Sequence, residues 1–181
     1  MSEGNNRPVF LVDAYSDPVV VRLEGRACHA NCACLRDFLT QMLAQAKTRF
    51  VMDFQHCSSM DSTFLGILAG VALELRRQKP PGSLTLCRVS RRNLELLRNL
   101  GLHRLLTVEA GDFPMDFGRG TAALDCATAH NDLQTARLVL AAHENLIAAD
   151  SANQNRFEDV LAFLRNRLEQ NARVAADGTA S

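Results

Sequence analysis

Neither sign of charge prevails in the sequence: 20 Lys/Arg stand against 20 Asp/Glu in 181 residues, for a formal net charge of zero. With no global excess of positive charge, the expectation is no direct nucleic-acid binding and no acidic membrane as the main partner. No uninterrupted apolar run approaches the roughly 20 residues that a membrane-spanning helix needs, so no membrane span is expected. The first eight residues are polar and lack a basic stretch followed by an apolar one, which is not the pattern of a signal peptide. A Gly-rich phosphate loop, a G-x-S-x-G elbow and a nucleotide fingerprint are all missing, so neither an enzyme nor a cofactor is expected. The six cysteines lie at 28, 32, 34, 57, 87 and 126. Two of them, Cys57 and Cys87, fall at or near apparent strands, where a reduced thiol behaves as a small apolar side chain. A reducing, cytoplasmic compartment fits this better than a disulfide scaffold.

What is present is 47% apolar composition, enough for one substantial core in a chain too short for two average domains. The charge is uneven: residues 1–110 carry 14 basic and 10 acidic side chains, leaving 6 and 10 for residues 111–181. Two segments with different surfaces are implied. Val9-Phe-Leu-Val12 and Val19-Val-Val-Arg-Leu23 read as strands around the turn Tyr15-Ser-Asp-Pro18. Leu35, Phe38, Leu39, Met42, Leu43 and Ala46 follow the spacing of a helix with one buried face, which Asn31 would cap. Phe50-Val-Met-Asp-Phe54 reads as a strand buried on both sides of a sheet. A helix from about Asp61 to Gln78 follows, ending before Pro80-Pro81-Gly82. Ser83–Val89 alternates as a strand, Ser90 caps a short helix with Leu94, Leu97 and Leu100 inward, and Gly101 ends it. Arg104–Val108 gives a last strand.

The order ββαβαβαβ predicts an α/β fold: a mixed sheet whose parallel strands are joined through helices packed on it. Residues 111–120 are rich in Gly, Pro and Asp and read as a linker. Residues 121–171 then predict a helical hairpin turning at Asp150–Asn153, with one apolar stripe on each helix. These stripes are Leu133, Ala136, Leu140, His143 and Ile147, then Phe157, Val160, Leu161, Leu164 and Leu168. Residues 172–181 read as a disordered tail.

The polar side chains of greatest interest gather between the third strand and the second long helix, in Asp53-Phe-Gln-His-Cys-Ser-Ser-Met-Asp61-Ser62-Thr63-Phe64-Leu-Gly66. Asp61 at a helix start satisfies free backbone N–H groups and complements the positive end of the helix dipole. Ser62 falls in the first turn, where a phosphate would meet backbone N–H groups and leave the helix intact. Gly66 and Gly70 lie four apart on one helix face, and close approach of the helix to the sheet or to a partner would compensate their low helix propensity. The stretch resembles the signature of STAS-domain anti-sigma factor antagonists, in which a strand ending in Asp leads through a loop to Asp-Ser-Ser/Thr-Gly and an apolar helix with a further Gly. Asp53, Asp61, Ser62, Thr63 and Gly66 carry the resemblance, together with Gly25, the strand at 84–89, Ser90 and Leu94-x-x-Leu97-x-x-x-Gly101-Leu102. It covers residues 8–110.

The resemblance implies a protein that binds an anti-sigma factor with serine kinase activity and is phosphorylated by it at Ser62, with Thr63 as the backup acceptor. Asp53, Asp61, Ser62, Thr63, Phe64 and Gly66 would meet the partner. Phe64 departs from the pattern, standing where many members have Gly, and is expected to alter the surface beside Ser62. The alternative is a non-enzymatic STAS scaffold subunit of a stress-signalling assembly, forming a homo-oligomer through residues 121–171.

Three motifs are set aside. Cys28-His29-x-x-Cys32-x-Cys34 has neither zinc-ribbon nor redox-dithiol spacing, so no metal site is expected. His143-Glu144 begins like H-E-x-x-H but has Ile147 at the second ligand position, leaving His143 as a partly buried hairpin residue. Arg88-x-x-Arg91-Arg92 reads most simply as a solvated edge, with an acidic partner surface as the alternative.

Overall fold

A computed structural model describes residues 9–109, 121–126 and 130–177. The expected linker at 111–120 lies outside the described residues. Five strands arise where β-branched and aromatic residues run between turns: β1 (Phe10–Asp13), β2 (Val19–Ala27), β3 (Arg49–Met60), β4 (Ser83–Cys87) and β5 (Thr107–Glu109). The intervening helices are α1 (Ala33–Ala44), α2 (Ser62–Arg77) and α3 (Arg91–Asn99). The ββαβαβαβ order of the sequence reading is therefore the observed one.

A sixth strand, β6 (Ala122–Ala123), was not foreseen and lies in the segment expected to begin a helix. The sheet order is β5-β4-β3-β2-β1-β6; β2 to β5 are parallel neighbours, whereas β1 is antiparallel to both β2 and β6. Helical crossovers account for the parallel pairs and a short turn for the antiparallel β1–β2 pair. Alternation along β3 sends Phe50, Met52 and Phe54 into the main core with Leu35, Leu39, Leu65 and Leu68 of α1 and α2. Val51 joins Val20 and Cys87 in a small cluster on the other face of the sheet.

Three local expectations are corrected. The stretch after Phe54 is not a loop: β3 continues to Met60, pairing with β2 through two register shifts as far as Ala27↔Met60. Pairing with β2, with Cys57 and Met60 turned into the core, holds a segment whose Gln55, His56 and Ser58 side chains are exposed. Asn31 does not cap α1. Its Oδ1 accepts from the Cys28 amide at 2.9 Å and its Nδ2 donates to the Arg26 carbonyl at 2.8 Å, so it ties the loop before the helix. After α3, Gly101 takes the left-handed conformation (φ 73°) and leads into a 3-10 turn at Leu102–Arg104, which moves β5 three residues along from the expected start at Arg104.

The C-terminal hairpin consists of α4 (Asp132–Ala149) and α5 (Gln154–Asp177), joined by a 3-10 turn at Ser151–Asn153. A capping box between Asn131 and Gln134 starts α4. α4 begins well after residue 121, and α5 runs through residues assigned from sequence to the disordered tail. The hairpin packs in cis, with α4 lying between α2 and α5. Because α4 has neighbours on two sides, the single expected stripe does not describe it. Leu138, Ala142 and Leu146 form a second buried line beside Ala136 and His143, whereas Leu133, Leu140 and Ile147 are only half-buried. On α5, Phe157, Leu161 and Leu164 are buried, but Val160 and Leu168 are not.

The turn is anchored to the domain. Buried Asn153 donates from Nδ2 to the Leu100 carbonyl at 3.1 Å and to that of Leu146 at 2.9 Å, and Arg104 pairs with Asp150. A disulfide, Cys34–Cys126, joins the first turn of α1 to the segment after β6 across a sequence separation of 92. This corrects the expectation of reduced cysteines throughout; Cys28, Cys32, Cys57 and Cys87 are free and buried.

Candidate functional site at the start of α2

α2 starts where the sequence places it. Asp61 is its N-cap in extended conformation, and its Oδ1 accepts from the Phe64 amide at 2.9 Å. The other carboxylate oxygen, Oδ2, accepts from the His29 amide at 2.8 Å and lies 3.2 Å from His29 Nδ1. Asp61 therefore holds both the helix start and the β2–α1 loop, and His29 joins the site without having been singled out for it.

Ser62, in the first turn, is half-buried rather than openly presented to solvent. Its Oγ lies 3.0 Å from Nε2 of His143 on α4. The opposite ring nitrogen, Nδ1, is 2.7 Å from the Val139 carbonyl oxygen, an acceptor only, so Nδ1 carries the hydrogen. In the neutral ring Nε2 is then an acceptor, and the Ser62 hydroxyl donates to it. The imidazole also meets the Phe157 ring edge-on, with centroids 4.7 Å apart. His143 is thus a buried polar group with both nitrogens satisfied, linking the site to α4 and α5.

The remaining predicted residues, Thr63, Phe64, Gly66 and Asp53, lie in separate environments. Thr63 is buried, so the backup acceptor is enclosed as the structure stands. Phe64 is fully buried, not part of the surface beside Ser62: its ring stacks on Phe10 and meets Phe54 edge-on, at centroid distances of 6.3 and 6.2 Å. Position 64 points at the sheet, and a large apolar side chain there fills core volume that a Gly would leave open.

Gly66 does mark a close approach, and the approaching element is α4. An ideal Cβ on Gly66 would lie 2.8 Å from the Ala142 Cα and closer still to its carbonyl. Beside it, Asn145 donates from Nδ2 to the Gly66 carbonyl at 3.2 Å and occupies the space over Gly70. The small residues of α2 let α4 descend onto its backbone.

Asp53 is not brought to Ser62. Strand alternation turns it to the face opposite Phe54, where it is buried and receives the Arg88 guanidinium on both oxygens, with Arg22 Nε 3.8 Å away. Its Oδ1 also accepts from the Gln55 amide at 3.1 Å. Arg88 is therefore a structural partner of Asp53 and not a solvated edge, whereas Arg91 is exposed and pairs with Glu95 on its own helix.

Burial pushes three thiols up, to about 12 for Cys32 and about 11 for both Cys57 and Cys87. Asp61 adds to the effect at Cys32 and Asp53 at Cys87. A cleft of about 630 Å³ opens on the His29 side of the site, between α1 and residues 124–126. Among the described residues no helix is long and apolar enough to cross a membrane.

The family model described as "Mlab, STAS domain" matches residues 10–107, more than half of the chain. A search among curated proteins found no match. Among solved structures, the chain is similar to the anti-sigma factor antagonist SpoIIAA in its unphosphorylated form, at 21% identity and a TM-score of 0.48, covering 57% of this chain and 89% of that one. It is also similar to the Bacillus cell fate determinant SpoIIAA in the phosphorylated form, at 23% identity and a TM-score of 0.46, covering 56% and 91%.

Proposed function

Because the chain belongs to the STAS-domain family, we propose that it is an anti-sigma factor antagonist-like signalling protein, working by binding and not by catalysis. In this reading it acts in the cytoplasm and binds a kinase-type anti-sigma factor through the start of α2, and phosphorylation at Ser62 switches that contact. The supporting observation is how Ser62 is held: its hydroxyl is tied to a separate element by one side-chain hydrogen bond, so it can be released while the Asp61 cap keeps α2 intact. A phosphate on Ser62 would bring about −1.5 to −2 charges and three acceptor oxygens. Backbone N–H groups of the first turn favour that charge, but the 3.0 Å gap to His143 leaves no room for the group beneath α4. Phosphorylation thus requires α4 to lift, and the cis-packed hairpin becomes a competitor for the surface that the partner needs. Thr63, enclosed in the first turn, drops out as an acceptor in this scheme.

The test mixes the protein with its cognate kinase-type anti-sigma factor and ATP and follows intact mass and partner affinity. The expected result is one added phosphate in the wild type and none in Ser62→Ala. No phosphate on the wild type, together with unchanged partner binding by Ser62→Asp, overturns the reading.

Exposed apolar side chains on α5, Val160, Phe163 and Val174, favour a second reading: a scaffold subunit that self-associates through its C-terminal helices. Phe163→Glu would then reduce the oligomer measured by light scattering, while an unchanged mass would remove that reading.

A further inference from the structure

We propose that Cys28, His29 and Asp61 form a site for one divalent transition-metal ion, zinc by donor chemistry, at the mouth of α2. Cys28 Sγ, a His29 ring nitrogen and an Asp61 carboxylate oxygen lie within 4.8 Å of one another. One pair already has the spacing of ligands on one ion. His29 Nδ1 and Asp61 Oδ2 are 3.2 Å apart, near the edge of a tetrahedron with arms of about 2.0–2.2 Å. Asp61 divides its oxygens: Oδ1 is committed to the helix cap, and Oδ2 faces the loop. The loop is held in place before any ion arrives. The amides of Asn31 and Cys32 both donate to the Cys28 carbonyl at 3.0 Å, and the Asn31 side chain bonds the Cys28 amide and the Arg26 carbonyl. Such outer-shell bonds keep ligands oriented.

Sulfur, nitrogen and oxygen donors together suit zinc and not magnesium or calcium, which prefer oxygen alone. Cys28 is a free thiol, and His29 has a side chain 56% exposed that can swing inward by the ångström or so needed to close the set. Three protein ligands leave a fourth position for water. On binding, the Cys28 thiol gives its proton to solvent and the sulfur lone pair forms the bond to the ion, with no change of oxidation state. The run Cys28-His29-x-x-Cys32-x-Cys34 failed as a metal motif because the third ligand is distant in sequence. Cys34 is in the disulfide, and the third donor, Asp61, arrives from the end of β3.

The full chain, kept in deoxygenated buffer without added thiol, is titrated with Co²⁺ as a spectroscopic stand-in for zinc. The expected result is saturation at one equivalent with a thiolate-to-cobalt charge-transfer band. Cys28→Ser should lose the band, and His29→Ala should weaken binding at least tenfold, the least that loss of even an outer-shell partner costs. Absence of the band in the wild type, or its persistence in Cys28→Ser, overturns the site. Should Cys28→Ser not fold by circular dichroism, the exposed His29 decides, and unchanged affinity in His29→Ala is a negative result.

Discussion

Ser62 and His143 stand 81 residues apart in sequence and 3.0 Å apart in space, one at the start of the second helix of the domain and the other inside the C-terminal hairpin. Their bond makes the hairpin part of the site. A double-mutant cycle of Ser62→Ala and His143→Ala, measured by urea unfolding, should give a coupling energy on the order of 1 kcal/mol, the net value of a part-buried hydrogen bond. His143→Ala alone should cost more, about 1–3 kcal/mol, because it also gives up the ring contact with Phe157. A coupling near zero would show that the two residues are neighbours without being partners.

Gly66→Ala tests how closely α4 is seated. Alanine is the better helix former by about 1 kcal/mol, but its methyl would enter the Ala142 backbone, and overpacking of this kind costs about 1–3 kcal/mol. The expected outcome is faster amide hydrogen exchange throughout α4, with the β2–β3–β4 core unaffected. Uniform protection in both elements would contradict the packing described.

Asp53→Asn should destabilise the fold without reaching the start of α2. The carboxylate is buried against Arg88 and Arg22, and breaking a buried pair leaves positive charge uncompensated, at about 3 kcal/mol. Chemical denaturation should show this loss. Cobalt binding or phosphorylation at the α2 site, measured on the folded variant, should be unchanged.

Stability should fall under alkaline conditions. Cys32, Cys57 and Cys87 hold their protons more tightly in the folded chain than the ordinary thiol value of 9.0, with values of about 12, 11 and 11. The folded state then binds more protons than the unfolded state above pH 9, so stability is intact below that pH and declines from about 9 towards 12. Denaturation midpoints at pH 8 and pH 10 should differ in that direction. Cys87→Ala should reduce the difference while costing some packing.

Features set by neighbouring residues were legible in the sequence. The Asp61 cap, the Ser90 cap bonded to the Asn93 amide, and the positive-φ stop at Gly101 each follow from residue type at a helix end. The later half of β3 was not legible, because its exposed polar side chains look like a loop and only pairing with β2 makes them a strand. The resemblance, which puts Gly at position 64, implies a surface place for Phe64. Nothing local shows that this side of the first turn faces Phe10 and Phe54. The small residues of α2 did announce a close contact, but not its source. For α4 a single stripe was visible, and the second line through Leu138, Ala142 and Leu146 is needed only because the helix is sandwiched. His143 sat within the visible stripe, and a histidine among apolar neighbours is a sign that a polar partner exists elsewhere.

The covalent link between Cys34 and Cys126 changes how any rival reaches the start of α2. Residue 126 lies only a few positions ahead of α4, so the helix, once dislodged, stays on a short leash beside its seat. Reseating is unimolecular in any case, and the shorter tether raises its effective concentration, to the order of millimolar. An incoming protein must outbid that concentration, and a reductant that opens the link lowers the threshold without touching a single residue of the contact itself.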